Sequence, residues 1–339
     1  MAKREESRRS GLDLLIFDMD GVLIDVTNSY RKTIAKTVRL YLRACLGMAL
    51  SPNNPPLDQA VTLFKSAGGF NNDWDLTAGF LLYLLSVSGL PPLSKRKSSF
   101  SIPEAMDRLK TEAGKCHLRP VRHDLRRLSS LLDKVRNSGG GLKGLGKALG
   151  SSWEGWVYHS GSLEGENLVK RIFQEVYLGE KFTDYYRLPA LFYRGRGYHL
   201  RETLLIPRRV LSTLRKRIRL AIASGRPRFE AELALKRFGL LRYFDSVVTL
   251  DECLFPKPHP YPLLRAIREI GLPHPKCAYV GDVVDDMRAA KSAGKSFSVL
   301  AIGFVPGKKN GIREKALIQA GADLLVRHPG ELLRLVGRG

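Results

Sequence analysis

Cysteine is scarce: four residues in 339 (Cys45, Cys116, Cys253, Cys277), scattered, with no CxxC pair and no metal-ligand spacing. A disulfide framework is therefore excluded as the organising principle, and a reducing compartment, the cytoplasm, is expected. Long apolar runs are also missing. The longest, Phe80–Leu85, falls well short of the roughly 18 residues that a membrane span needs. Met1–Ser10 carries charges of both signs and no apolar stretch leading to a small-residue cleavage site, so no secretory signal is expected. The seven histidines form no HxxxH or HExxH pair, and no internal repeat is visible. Acid is in short supply: 33 Asp and Glu face 56 Lys and Arg, a formal charge of +23. Such a balance raises a polyanion, nucleic acid among them, as a partner.

What is present is periodic. Length suggests two domains at about 150 residues each. Gly11–Asp18 is a near-continuous apolar run ending in a carboxylate, the pattern of a buried parallel strand. From Thr213 onward, strand and helix patterns alternate. Strands are expected at Arg219–Ser224, Phe244–Leu250, Cys277–Gly281, Ser296–Ile302 and Asp323–Val326, with helices at Pro227–Phe238, Tyr261–Ile270, Asp285–Ala293, Arg313–Ala320 and Gly330–Val336. Such alternation implies a parallel sheet covered on both faces. Between Asp25 and about Ile206 the pattern is mainly helical, with amphipathic stretches at Ser29–Leu46, Leu57–Ser66, Asp75–Ser86 and Glu166–Leu178. The reading is α/β: a core of residues 1–24 and 205–339 interrupted by a helical insertion, 25–204. Within the insertion, residues 91–150 are rich in Lys, Arg, Ser and Gly. They are expected to be loosely ordered, with helices at most at Ile102–Glu112 and Val121–Val135.

Four short motifs fall at four expected strand ends: Asp18-Met-Asp20-Gly21-Val22, Ala223-Ser224-Gly225, Lys257-Pro-His-Pro260 and Gly281-Asp282-Val-Val-Asp285-Asp286. Ligands in open α/β sheets bind beyond the carboxyl ends of strands, and carboxylates at i and i+2 leave a strand end on the same side. Taken singly, each motif has a plainer explanation as turn, N-cap or surface charge. Two carboxylates, a hydroxyl, an ammonium and an acidic trio at one sheet edge point instead to one site.

In type and order these motifs resemble those of the haloacid dehalogenase-like superfamily of aspartate-nucleophile hydrolases. The resemblance covers roughly Leu12–Asp25 and Leu205–Val336, and it implies a Rossmann-like core. Insertion just after the first strand is similar to members of subfamily I with a helical cap of the first type. Dehalogenases of the family lack the second aspartate, so Asp20 implies phosphatase or phosphomutase chemistry. By this resemblance Asp18 attacks phosphorus as a covalent nucleophile, forming an aspartyl-phosphate. Asp20 protonates the leaving alkoxide and then takes a proton from the hydrolytic water. Mg²⁺ would be held by Asp18, the Asp20 backbone carbonyl, Asp282 and Asp286, with Asp285 as the alternative to Asp286. Ser224 binds phosphoryl oxygens, and Lys257 offsets charge on nucleophile and phosphate.

On the substrate side, Ala67–Asp75 places Gly68-Gly69 before Asn71, Asn72 and Asp73, and resembles one branch of the superfamily with a GG-NNDW pattern. Asn71, Asn72, Asp73, Tyr30, Gly225 and Arg226 are the candidate substrate contacts. An N-cap at Asn72 or Asp73 competes with that role, as does an acid partner for Arg226. Gly141–Ala148 nearly fits the GxxxxGK[ST] phosphate loop, but it ends in Ala and lacks a preceding strand. It is read as a flexible linker.

The expected function is Mg²⁺-dependent hydrolysis of a small phosphate monoester, of the phosphoglycolate, sugar-phosphate or histidinol-phosphate kind. A phosphomutase is the alternative within the same chemistry. A nucleic-acid-binding protein or polynucleotide-end phosphatase is the alternative outside it. The charge is local: residues 91–150 hold 14 Lys and Arg against 5 Asp and Glu, and 187–219 hold 10 against 1. No sequence-reading module accompanies it, so a small phosphorylated metabolite is favoured over nucleic acid.

Overall fold

The computed structural model describes residues 11–70, 72–94, 100–307 and 311–336. The chain divides into two units, Met1–Val26 with Thr203–Gly339, and Thr27–Glu202. No helix among the described residues is long and apolar enough to cross a membrane.

The first unit is built on a six-stranded parallel sheet. Its strands are β1 (Leu14–Phe17), β4 (Arg219–Ala223), β5 (Ser246–Val248), β6 (Lys276–Gly281), β7 (Ser298–Phe304) and β8 (Leu324–Val326), in the order β5-β4-β1-β6-β7-β8. A short antiparallel pair, β2 (Ile24–Asp25) and β3 (Thr203–Leu204), joins the two chain crossings of this unit. Because side chains alternate along a strand, the sheet sorts its residues into two cores. Leu15, Phe17, Leu220, Ile222, Ala278 and Val280 pack in one core with residues of helices Arg208–Arg215 and Arg228–Arg237. Leu14, Ile16, Ala221, Ala223, Cys277 and Tyr279 pack in the other, with helices Tyr261–Ile270 and Val284–Ala293. Both cores are apolar apart from tyrosine hydroxyls, that of Tyr243 at the edge of the first and that of fully buried Tyr279 in the second. The expected alternation is present, with helix Tyr261–Ile270 at its expected bounds and no end shifted by more than three residues. Helix Arg208–Arg215 escaped the sequence reading, and the closing segment Pro329–Val336 is a 3-10 helix.

The second unit is helical: Tyr30–Leu46, Leu57–Ala67, Asp73–Ser86, Ile102–Gly114, Leu125–Asn137, Gly141–Leu149, Leu168–Leu178 and Lys181–Tyr186. Helix Tyr30–Leu46 buries Ile34, Val38, Tyr41, Leu42 and Cys45, the spacing of an amphipathic helix on a core. Helix Asp73–Ser86 is buried from Leu76 through Leu85, as a central helix must be.

The expectation of a loosely ordered 91–150 is corrected: the described part of it carries three helices. Ser101 and Glu104 form a reciprocal capping box, and Asp124 caps the next helix by accepting from Arg127 N at 2.8 Å. Behind the basic surface residues lie Ile102, Ala105, Leu109 and Ala113, then Leu128, Leu132 and Val135, all buried. The supposed linker Gly141–Ala148 lies within a helix. Its glycines permit close backbone approach, since Gly141 N donates to Gly68 O at 3.2 Å and a Cβ on Gly69 would lie 2.6 Å from Gly141 N.

Candidate active site

The sheet register brings the motifs to one edge. Phe17 is opposite Ile222 on one side and Val280 on the other, so Asp18, Ser224 and Asp282 each lie one or two residues beyond paired positions. Asp18 N donates to Val280 O at 2.9 Å, and Ser224 N to Val248 O at 2.9 Å, which fixes both residues to the strand ends.

Asp18 is 6% exposed. Lys257 Nζ stands 3.0 Å from its Oδ1 and 2.7 Å from Asp286 Oδ1. Asp286 is fully buried and is the hub of the site. Its Oδ1 also accepts from the Tyr279 hydroxyl at 3.0 Å, and its Oδ2 accepts the N–H groups of Asp282 at 2.9 Å and Val283 at 3.1 Å. The Tyr279 hydroxyl in turn accepts from Lys257 Nζ at 2.9 Å. Asp285 instead pairs with Arg288 at 3.6 Å, so the geometry selects Asp286 for the cluster.

Carboxylate oxygens of Asp18, Asp282 and Asp286 lie within 4.8 Å of one another. Burial first, and then Asp286, Asp20 and Asp282, push the Asp18 carboxyl well above its ordinary value, against the opposing pull of Lys257. Burial pulls Lys257 down, but Asp18 and Asp286 outweigh it and hold the ammonium well above its usual range. Burial raises Tyr279 too, with Asp286 adding to it. Three close carboxylates on an all-oxygen donor set, one of them resisting ionisation, fit a hard divalent cation. Asp18, Asp282 and Asp286 are the residues that could hold it.

The glycine after Asp20 has a steric reason. Gly21 has φ +75°, and a Cβ there would lie 2.2 Å from Asp282 Oδ2. Two contacts escaped the sequence reading. Tyr279 was detectable in principle as the polar member of a buried strand. Arg313, which reaches Asp282 Oδ2 at 2.6 Å and its carbonyl at 3.2 Å, comes from a separate helix and gave no signal.

The other candidates fall as follows. Gly225 is exposed, with open space where its Cβ would be. Ser224 is buried, and its Oγ accepts from Arg226 N at 3.2 Å. Arg226 is paired with Asp20, with Nε and a terminal nitrogen both 2.6 Å from Asp20 Oδ1. Tyr30 is packed rather than presented: its ring stacks on Tyr177 with centroids 4.6 Å apart. Asn72 is an N-cap, its Oδ1 accepting from Asp75 N at 2.6 Å, and Asp73 pairs with Lys65 at 2.7 Å. Asn71 lies outside the described residues. His259 serves its own turn, Nδ1 accepting from Tyr261 N at 3.1 Å.

The carboxyl edge of this parallel Rossmann-like sheet thus gathers a buried carboxyl, a lysine and an acidic cluster. Residues 177–294 match the family model of haloacid dehalogenase-like hydrolases. Ser224, Lys257, Asp282 and Asp286 fall inside the match; the sheet adds Asp18 from outside it. The chain is similar to a protein from Phytophthora nicotianae named imidazoleglycerol-phosphate dehydratase, 26% identical over 84% of this chain and 42% of that one. It is also similar to a phosphoglycolate phosphatase from Xylella fastidiosa, 34% identical over 33% of this chain and 47% of the relative. A pyrophosphatase from Halalkalibacterium halodurans is 33% identical over 35% and 52%. The chain thus spans about half the length of the curated relatives it matches. A crystallographic structural-genomics target shares the fold at TM-score 0.59 and 20% identity, covering 95% of this chain and 97% of the other. A phosphatase from Thermococcus thioreducens does so at 0.50 and 21%, covering 90% and 99%.

Proposed function

We propose that the chain is a Mg²⁺-dependent phosphatase that hydrolyses a small phosphate monoester through an aspartyl-phosphate on Asp18. One observation carries this reading: Asp18, Lys257, Asp282 and Asp286 meet within direct contact or a few ångströms at a single sheet edge. The names of relatives support it, among them the phosphoglycolate phosphatase and a phosphorylated carbohydrates phosphatase of Thermotoga maritima.

In this reading an Asp18 carboxylate oxygen attacks phosphorus in line with the leaving alkoxide. Asp20 gives that alkoxide its proton and later takes one from the water that cleaves the acyl-phosphate. Lys257 neutralises charge between Asp18 and the transferring group, and Asp286 with Tyr279 holds Lys257 in place. Ser224 and the exposed backbone at Gly225 bind phosphoryl oxygens. Asp18, the Asp20 carbonyl, Asp282 and Asp286 would hold the divalent ion, which would supply charge stabilisation for the two approaching anions. Residues 27–202 are assigned the part of a cap from their point of insertion.

The test is phosphate release from a panel of phosphoglycolate, sugar phosphates, histidinol phosphate and pyrophosphate, with Mg²⁺ and with a chelator. Release that needs the divalent ion and disappears in Asp18→Asn is expected. Undiminished release by Asp18→Asn would sink the reading. Product analysis of the same reactions separates hydrolysis from transfer to a second hydroxyl.

A further inference from the structure

Arg226 is one of the largest fully buried side chains in the molecule, 1% exposed, while its partner Asp20 is 33% exposed. Two nitrogens of the guanidinium converge on one carboxylate oxygen, Asp20 Oδ1, each at 2.6 Å. The backbone of Arg226 is pinned as well: its N–H donates to Ser224 Oγ at 3.2 Å and its carbonyl accepts from Leu250 N at 2.9 Å. On the other side, the loop of Asp20 is closed by Gly21 N on Ile24 O at 2.8 Å and Ile24 N on Met19 O at 2.9 Å. Both backbones are thereby fixed, and the guanidinium holds the Asp20 side chain by Oδ1. A buried guanidinium stays charged, and its two contacts to Asp20 fall on Oδ1, which accepts them whether or not Oδ2 carries a proton.

We propose that Arg226 is the positioning residue for Asp20, holding it by Oδ1 so that Oδ2 carries the proton to and from the reacting oxygens. This deepens the phosphatase reading of the same site and rests on it. A side chain with 1% exposure has no open face for substrate, so Arg226 acts through Asp20 and not as a phosphate anchor. In the first step the P–O bond to the leaving group breaks as the bond from Asp18 to phosphorus forms. The proton moves from Asp20 Oδ2 to the leaving oxygen. In the second step Oδ2 receives a proton from water as the water oxygen bonds to phosphorus and Asp18 is released.

General-acid help matters most for a poor leaving group. The experiment therefore compares two probes, glycerol 2-phosphate, which leaves as an alkoxide, and p-nitrophenyl phosphate, which leaves as a stabilised phenolate. For Arg226→Gln, kcat/KM on glycerol 2-phosphate, which reports the phosphorylation step where Asp20 is the acid, should fall about 100-fold. On p-nitrophenyl phosphate kcat/KM should stay within about threefold, while kcat falls on both probes to the extent that hydrolysis of the shared intermediate limits turnover. Arg226→Lys, which keeps the charge but not the planar fork, should recover part of the kcat/KM loss on the alkyl ester. Equal losses of kcat/KM on both probes, or a rise in KM with kcat unchanged, overturn the positioning role. Loss of folded structure in both variants, read by circular dichroism, makes Arg226 purely structural and overturns it too. A wild-type protein that hydrolyses neither probe removes the phosphatase reading and the positioning role together. A wild type active on both, with variants losing kcat/KM alike on both, overturns the positioning role alone.

Discussion

Both units bury charge, but they resolve it differently. In the helical unit, Arg171 and Glu175 are paired at 2.8 Å and almost completely buried. Every contact around them is constructive: Glu175 accepts the N–H groups of Leu191, Phe192 and Tyr193, and Arg171 donates to Leu163 O and Pro189 O. The pair ties a loop to a helix and asks for nothing more. At the sheet edge of the other unit, Asp18, Asp282 and Asp286 crowd one another, and Asp18 resists ionisation. Self-satisfied buried charge serves the fold; buried charge set against its own kind is kept for chemistry, at a cost to stability.

That contrast can be broken by mutation. The largest effect belongs to Asp18→Asn, which should lower phosphate release about a thousandfold or more while keeping or raising the thermal midpoint, because it relieves repulsion. Next comes Glu175→Gln in the helical unit, which leaves Arg171 buried without its counter-charge. A urea titration should register a loss of about 3 kcal/mol, with turnover per folded molecule little changed. A smaller effect is expected from Gly21→Ala. The added Cβ falls on Asp282 Oδ2 at 2.2 Å, and Mn²⁺ affinity measured by calorimetry should weaken about tenfold.

The smallest effect is a pH dependence. Burial, opposed by Lys257 and reinforced by the neighbouring carboxylates, raises the folded-state pKa of Asp18 above that of the unfolded chain. The folded state thus binds this proton more tightly. Its stabilising contribution is full below the ordinary carboxylate range and is lost as pH rises through the folded value. A divalent ion acts where the group is ionised, so Mg²⁺ should raise the thermal midpoint by a few degrees near neutral pH. The gain should fade as the solution is acidified.

Much of the site was legible because strand ends are legible. A buried apolar run ending in Asp, and three more runs ending in Ser-Gly, near Lys257 and in Gly-Asp, fix four positions along one edge whatever the loops do. The choice between Asp285 and Asp286 needed the helix that starts at Val284, since only its register aims one of them inward. Tyr279 and Arg313 were illegible for different reasons. The first hides in an apolar strand, and the second reaches the site from a helix whose own pattern says nothing of Asp282. The basic stretch 91–150 was misjudged because charge dominated its composition while each helix buries only three or four residues as its anchor. Tyr30 and Asn72 looked available in the sequence; stacking and capping, which depend on the folded neighbours, claimed them.

The central claim is that Asp18 becomes phosphorylated during turnover. Enzyme quenched in acid while hydrolysing p-nitrophenyl phosphate with Mg²⁺ can be reduced with borohydride, which converts an aspartyl-phosphate to homoserine, and then digested for mass spectrometry. Homoserine at position 18, absent when substrate is withheld, is the predicted result. Phosphate release with Asp18 unmodified under the same quench would contradict it.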